Sequence, residues 1–83
     1  MSWEEINEGD AGSSALQKTF EFKDFISAWA FMNKVALIAE KMDHHPDWSN
    51  SYNKVIVRLS THSAGNKITE KDRKLAMLID KLS

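Results

Sequence analysis

Hydrophobic and polar residues alternate along the first part of the chain, as they do in strands with one buried face. From Leu16 to Phe22, apolar or long side chains at even positions alternate with polar ones at odd positions. A shorter extended segment is predicted from Trp3 to Asn7, and the Gly- and Ser-rich stretch at 9–14 predicts a loop between the two. The two segments are therefore predicted to form a β-hairpin.

The hydrophobic period then changes from two residues to three or four, which is typical of an amphipathic helix. Between Asp24 and Met42 this spacing selects a single apolar stripe, made of Phe25, Ala28, Met32, Val35, Ala39 and Met42. The sequence therefore predicts its longest helix over Asp24–Met42, with the stripe facing the sheet.

Four further apolar residues of this helix lie off the stripe, namely Trp29, Phe31, Leu37 and Ile38. One interpretation is that they form a contact between copies of the chain, because a small domain gains stability from association. The other is that loops or the terminal helix cover them. The pattern alone leaves both interpretations open.

Alternation by two returns after Pro46 and predicts two extended segments, Trp48–Tyr52 and Lys54–Thr61, joined at Asn53. One face of the second segment carries Val55, Val57, Leu59 and Thr61. The opposite face carries Ile56, Arg58, Ser60 and, if the strand continues, His62. These two segments are predicted to be neighbouring strands.

The last predicted element is a helix that begins at Thr69, after a loop over Ser63–Ile68. Thr69 and Asp72, three positions further on, have the spacing of a capping box. The buried stripe predicted for this helix consists of Leu75, Leu78, Ile79 and Leu82. The order strand, strand, helix, strand, strand, helix predicts an α+β fold, a two-layer sandwich in which a four-stranded antiparallel sheet carries its helices on one face. Residues 1–83 are predicted to form one domain.

Composition narrows the classes of function. A net charge of -1 and 42% hydrophobic residues favour an ordinary folded domain and argue against general binding to nucleic acid. The absence of cysteine excludes disulfides, thiolate metal sites and a cysteine nucleophile. No apolar run approaches the roughly 18 residues of a membrane helix, so a cytoplasmic location without membrane contact is the expectation.

All three histidines lie in one central stretch, the adjacent pair His44-His45 between Asp43 and Pro46, and His62 further along. Histidine is the side chain whose unperturbed pKa best allows proton donation and acceptance near neutral pH. Pro46 disfavours helical backbone at His45, which places the pair where the long helix ends. The concentration of histidines predicts proton transfer in a cleft.

Two carboxylates, Glu40 and Asp43, precede the histidine pair and are close enough in sequence to orient an imidazole. The alternative is purely structural, since a helix C-terminus favours histidine electrostatically and the Asp43 carboxylate can act as a local cap. Spacing alone does not decide between these interpretations. For Asp72 the capping role is preferred to a catalytic one.

Other chemistries fit less well. A zinc site is disfavoured because His44 and His45 are adjacent, neighbouring side chains in extended backbone point opposite ways, and no pair of histidines has the i, i+4 spacing of metalloproteases. The Gly-x-Ser-x-Gly elbow of serine hydrolases is also absent. Trp48 lies near the histidines and is able to stack on a flat heterocycle, although an aromatic beside a helix end is more often part of the core.

The string Glu40-Lys41-Met42-Asp43-His44-His45-Pro46-Asp47-Trp48 closely resembles the pterin-4a-carbinolamine dehydratase family. The segments Phe22–Phe25, Tyr52–Val55, Ser60–His62 and Thr69–Asp72 occur in the family's order, so the resemblance spans nearly the whole chain. One departure is the loop Ser63–Ile68, which is one residue longer than usual and has Asn66-Lys67 in place of the expected second glycine.

The resemblance implies a lyase that removes water from a 4a-hydroxytetrahydropterin, the product of aromatic amino-acid hydroxylation, to give a quinonoid dihydropterin for tetrahydrobiopterin recycling. It implies no metal and no organic cofactor. The catalytic residues that it implies are His44 and His62 as an acid and base pair, His45 as a positioning group and Glu40 as an orienting carboxylate. The pterin-binding residues that it implies are Asp43, His44, His45, Pro46, Trp48, Ser60, Thr61, His62 and Ser63.

The resemblance also implies a homodimer or homotetramer, with which the off-stripe residues of the long helix agree. Two alternative functions stay open at this point. Animal relatives double as a dimerisation cofactor of a transcription factor, so the chain is alternatively a protein-binding coactivator. A third hypothesis is pterin binding without turnover, which only kinetics can reject.

Overall fold

A computed structural model describes residues 2–8 and 12–83 of the chain, with four strands, two α-helices and one short 3-10 turn. In chain order the elements are β1 (Glu4–Glu8), β2 (Ser13–Glu21), α1 (Phe25–Met42), β3 (Asp47–Ser51), β4 (Lys54–Leu59), the 3-10 turn (His62–Ala64) and α2 (Glu70–Asp80). The predicted order of elements is therefore confirmed. Of the loop predicted at 9–14, residues 9–11 lie outside the described part of the chain, and Ser13 and Ser14 already belong to β2.

The strands form one antiparallel sheet in the order β1-β2-β4-β3. Strands β2 and β4 are the two inner strands, and their register places Leu59 opposite Leu16 and Val55 opposite Phe20. Directly opposed residues of antiparallel strands share a face, so the alternating apolar residues of β2 and β4 line the same side of the sheet. Both helices pack on that side, as the α+β prediction requires.

The core fills the layer between the sheet and the helices. Its buried members are Leu16, Phe20, Ala28, Phe31, Val35, Val55, Val57, Leu59, Leu75, Ala76 and Ile79. The rings of Phe20 and Phe22 lie 4.8 and 4.9 Å from that of Phe31. Aromatic contacts of this kind stabilise a pair beyond its buried area. The three phenylalanines therefore attach the first half of α1 to β2.

The structure corrects the predicted faces of α1. Phe31, placed off the apolar stripe by the sequence pattern, is only 3% exposed and belongs to the core, whereas Phe25, placed on the stripe, is 43% exposed. Ile38 is partly buried against the core, so of the four off-stripe residues only Trp29 and Leu37 remain largely exposed. The buried face is rotated toward Phe31 because the rings of Phe20 in β2 and of Phe22 directly after it pack against Phe31.

The two ends of α1 are determined by adjacent aspartates. Asp24 is the N-cap, and its Oδ1 accepts a hydrogen bond from the backbone N–H of Ser27 at 2.8 Å. At the other end Asp43 adopts the left-handed conformation with φ 52°, and its N–H contacts the carbonyls of Ala39 and Glu40. The left-handed residue turns the chain sharply, so His44 leaves the helix axis directly after the cap.

The predicted capping box of α2 is present. The backbone N–H of Thr69 donates to Oδ2 of Asp72 at 2.8 Å. Leu75 and Ile79 are fully buried, whereas Leu78 and Leu82 of the predicted stripe are partly buried. No helix in the described residues is long and apolar enough to cross a membrane.

Candidate active site

The end of α1, the end of β4 and the start of α2 meet at one edge of the molecule, and all three histidines line the cleft between them. The cleft has two connected parts. The histidine lobe has a volume of about 500 Å³ and is lined by Asp43, His44, His45, Pro46, Asp47, Ser60, Thr61, His62, Ser63 and Lys71. The sheet lobe has a volume of about 280 Å³ and is lined by Ser13, His45, Asp47, Arg58, Ser60, His62 and Asn66.

His44 is the most buried of the three histidines, with only 8% of its surface exposed. Its Nε2 lies 2.5 Å from Oδ1 of Asp72, a fully buried carboxylate of α2. A carboxylate that accepts this bond requires the ring proton on Nε2, which leaves Nδ1 as the acceptor nitrogen of neutral His44. The contact therefore selects one tautomer and orients the imidazole.

The Asp72 carboxylate is held by two further donors. Thr61 donates its hydroxyl to Oδ2 at 2.7 Å, and the backbone N–H of Thr69 donates to the same oxygen. Because the Thr61 hydroxyl proton is used in this way, the Thr69 hydroxyl, 2.7 Å away, is the donor between the two threonines. A buried charge is tolerated only with such partners. The network links the segment that follows β4, the start of α2 and His44.

His45 faces a different environment. Its Nε2 lies 2.8 Å from Oε1 of Glu40, one of the two local carboxylates considered above, but the side chains are 56% and 81% exposed. An ion pair between such exposed groups is weak because water screens it. Glu40 therefore restricts the orientation of His45 much less than Asp72 restricts that of His44.

His62 opens the 3-10 turn after β4 and is exposed at the boundary between the two lobes. The turn is held in place by its neighbours. Thr61 pairs with Lys67 across the loop, and the hydroxyl of Ser60 donates to the carbonyl of Ser14 at 2.9 Å. These bonds attach the His62 loop to the start of β2.

Most residues predicted to bind the pterin line the cleft, including Asp43, Pro46, Ser60 and Ser63. Trp48 does not. It lies opposite Val57, on the sheet face that carries the helices, and packs against the core. The structure thus brings together every predicted site residue except Trp48 and Glu40, and Glu40 reaches the site only through His45.

The sequence reasoning missed Asp72, which contacts His44, and five residues that line the cleft, Lys71, Asp47, Ser13, Arg58 and Asn66. Asp72 was interpreted as a cap alone, and it is both the cap of α2 and the partner of His44. The sequence signal for its second role is its position as a capping carboxylate directly downstream of the loop that carries His62. Lys71 and Asp47 line the histidine lobe without a local sequence signal.

Within the described residues no group of three His, Asp or Glu side chains is arranged to hold a metal ion. A second groove of about 530 Å³ lies between β1 and α2, lined by Trp3, Glu5, Leu16, Arg73, Ala76, Met77, Asp80 and Lys81. It brings together no histidine, so the histidine cleft is the candidate active site.

The family model for pterin 4 alpha carbinolamine dehydratase matches residues 1–82. The chain belongs to this family. The match includes every residue that lines the two lobes.

Relatives from several bacteria are similar along most of the chain, and each is provisionally named a pterin-4-alpha-carbinolamine dehydratase. A protein of Prochlorococcus marinus strain NATL2A is 56% identical over 70 residues, which cover 84% of this chain and 73% of the relative. One from Paraburkholderia xenovorans is 50% identical, covering 87% and 74%. One from a Jannaschia species is 47% identical, covering 98% and 78%.

Two solved structures share the fold. A Brucella melitensis protein described as a transcriptional coactivator/pterin dehydratase is 44% identical, with a TM-score of 0.87 over 98% of this chain and 81% of that one. A pterin dehydratase-like protein described as a RuBisCO assembly factor of the alpha-carboxysome is 25% identical, with a TM-score of 0.79 over 99% and 89%. The same fold is thus associated with more than one role.

Proposed function

We propose that this chain is a lyase that dehydrates 4a-hydroxytetrahydropterins, and that it serves tetrahydrobiopterin recycling in the cytoplasm. The observation that carries the proposal is the placement of three histidines around one cleft, with the most buried of them held by Asp72. Hydrogen bonds that fix the tautomer of one histidine beside two others are suited to proton transfer.

The reaction requires an acid and a base on one flat ring. A base removes the proton from N5 of the pterin, and the electron pair of that N–H bond forms the double bond between N5 and C4a. The bond between C4a and its hydroxyl oxygen breaks, and an acid protonates the hydroxyl as it leaves as water. The base gains one proton and the acid loses one. A proton exchange between these two groups therefore returns the site to its starting protonation state.

His44 and His62 are the proposed pair, because one lies deep in the histidine lobe and the other at its mouth. Neutral His44, with its proton fixed on Nε2 by Asp72, presents Nδ1 as a base. The two roles exchange between the two stereoisomers of the substrate. His45 positions the ring and stabilises charge, and no step uses a metal or an organic cofactor.

The test is stopped-flow absorbance of freshly generated 4a-hydroxytetrahydropterin, whose uncatalysed dehydration supplies the baseline. The wild-type protein is expected to accelerate the reaction, and His44→Ala and His62→Ala are each expected to reduce kcat on the order of 100-fold or more. Lys23→Ala, an exposed change outside the cleft, is the matched control. No acceleration by the wild-type protein would reject the proposal, as would full activity of the His44 variant.

A second candidate function is supported by exposed apolar residues on α1. Ile26, Trp29 and Leu37 are each at least half exposed on the face opposite the core. Such a surface fits a second copy of the chain or another protein, and the Brucella relative is described as a coactivator. Pull-down with a transcription-factor dimerisation segment would test the coactivator role. Absence of dehydratase activity in the wild-type protein would favour this role over the enzymatic one.

A further inference from the structure

A third groove, the lysine groove, lies between the C-terminal half of α1 and α2, beside the histidine lobe. Its volume is about 670 Å³, within the range of sites that hold small molecules, and it is lined by Ile38, Lys41, Met42, Glu70, Lys71, Lys74 and Leu78. Of these residues, only Lys71 also lines the histidine lobe. A molecule can therefore occupy the lysine groove without entering the candidate active site.

The floor of the lysine groove is apolar. Ile38 and Met42 are one turn apart on α1 and pack against the core, and Leu78 comes from α2. All three are half-buried, so each leaves part of its side chain open to the groove. An apolar surface of this kind is stabilised when an aliphatic chain displaces water from it.

The rim of the lysine groove is positively charged. It carries three exposed lysines, Lys41, Lys71 and Lys74, against the single carboxylate of Glu70. Among the described residues none of the three lysines forms an ion pair or a side-chain hydrogen bond, although Glu70 and Lys74 have the i, i+4 spacing that favours a pair on a helix. The rim therefore concentrates unpaired positive charge on a chain whose net charge is -1.

We propose that the lysine groove binds a small amphiphilic anion, an aliphatic carboxylate whose head group pairs with the lysines and whose chain lies on the apolar floor. Charge complementarity selects the anion, and the floor selects the hydrocarbon chain. Three half-buried side chains are too few to bind another protein, since a stable interface buries roughly 800 Å² on each partner. A membrane surface would need an apolar face that inserts, whereas these side chains are half-buried between two helices.

Isothermal titration calorimetry with octanoate, butanoate and octan-1-ol tests this ligand class. Octanoate is expected to bind at one site per chain. Butanoate keeps the charge but lacks four methylene groups, and it is expected to bind at least about tenfold more weakly. Octan-1-ol keeps the chain but lacks the charge, and it is also expected to bind about tenfold more weakly. Equal affinity for octanoate and octan-1-ol, or no saturable binding of octanoate, would overturn the proposal.

The double variant Lys41→Gln, Lys74→Gln removes two charges from the rim and leaves Lys71, which also lines the histidine lobe, in place. Octanoate is expected to bind this variant about three- to tenfold more weakly, and octan-1-ol equally well. The matched control is Lys23→Gln, Lys34→Gln, two exposed lysines outside the groove. Equal weakening in both double variants would indicate a general effect of net charge and would overturn the site.

NMR of the methyl groups locates the bound octanoate. Its signals are expected to shift at Ile38, Met42 and Leu78. Shifts confined to Met77, in the groove beside β1, or to Leu37, on the exposed face of α1, would place the ligand elsewhere and overturn the proposal. Binding to phosphatidylglycerol vesicles without saturable binding of octanoate would also overturn it. None of these measurements requires turnover, so the result is independent of whether the protein is a dehydratase.

Discussion

Asp72 links the stability of the fold to the geometry of the site. The same carboxylate caps α2, accepts the hydroxyl proton of Thr61 and orients His44. It is fully buried, so each of its bonds is made without competition from water. Because Asp72 has both roles, we expect a mutation that removes only its charge to have a different effect from one that removes the whole carboxylate.

Asp72→Asn preserves the volume of the side chain but places an NH2 group on one side of the network. In one orientation the amide cannot accept from Nε2 of His44, and in the other it cannot accept from Thr61 and Thr69. We expect kcat to fall on the order of 100-fold, with a smaller change in KM, because orientation of the base rather than binding is lost. Stopped-flow kinetics measures the two constants.

Asp72→Ala removes the carboxylate altogether and leaves buried polar groups unpaired. Its free energy of unfolding is expected to fall by roughly 2–4 kcal/mol, against a much smaller loss for the asparagine variant. Glu70→Gln, an exposed change in the same helical turn, is the control for both measurements. Unchanged kcat in Asp72→Asn would contradict the positioning role, even if the alanine variant is unstable.

Glu40 provides the contrast, because its bond to His45 is open to solvent. Glu40→Gln retains hydrogen-bonding capacity and removes a screened charge, so we expect kcat to change by less than about fivefold. Stopped-flow kinetics of Glu40→Gln and Asp72→Asn, measured in parallel, tests whether Asp72 contributes more to kcat than Glu40 does. A larger loss in Glu40→Gln than in Asp72→Asn would mean that His45, rather than His44, carries the chemistry.

The histidines and most of the cleft could be predicted from residue types and family resemblance, whereas the partner of His44 could not. His44 and Asp72 are 28 positions apart, and their contact arises only when α2 packs beside the end of α1. Local spacing favoured Glu40 and Asp43 as the orienting groups. The packing of the two helices instead brings the buried carboxylate to His44 and leaves the local ones in water.

At the scale of elements, the N-cap of α1 makes stability depend on pH. The backbone N–H of Ser27, followed by its hydroxyl, lowers the pKa of Asp24. A carboxyl whose pKa is lower in the folded state stabilises the fold above its unfolded pKa of about 3.9, and this stabilisation is lost as the pH falls through the folded value. The charge of Asp24 therefore supports α1 at neutral pH but not in strong acid.

Asp24→Asn tests this dependence, since asparagine is a comparable N-cap that does not titrate. We expect the wild-type protein to have the higher Tm at pH 6, and the difference between the two proteins to shrink as the pH is lowered below about 4. Thermal unfolding followed by circular dichroism at several pH values gives the comparison. A difference that stays constant with pH would contradict a role for the charge.

Element boundaries were well predicted, and helix faces less well. The caps at Asp24 and Thr69 depend on local chemistry, so sequence alone places them. Which face of α1 is buried depends on the residues that the helix packs against. Phe31 is buried because Phe20 of β2 and Phe22, the residue after that strand, contact its ring, and this information is not contained in the periodicity of the helix itself.

At the scale of the whole molecule, the face of α1 opposite the core carries apolar residues that a single copy leaves exposed. Ile26, Trp29 and Leu37 recur at spacings of three and eight positions, opposite the buried face, and are 72%, 50% and 74% exposed. A chain of 83 residues has a small core, so covering this stripe with a second copy would stabilise the fold. We therefore expect a homo-oligomer that uses α1, consistent with the homodimer or homotetramer that the family resemblance implies.

The double variant Trp29→Glu, Leu37→Glu should reduce the mass in solution from a multiple of 9.5 kDa to that of a single chain, because two buried charges would oppose the contact. Multi-angle light scattering across a range of concentrations measures this mass. Met77→Glu, the same kind of change at a 52% exposed residue of α2, is expected to leave the oligomer intact. A wild-type protein of 9.5 kDa at every concentration would contradict self-association, and α1 would then remain available to a different partner.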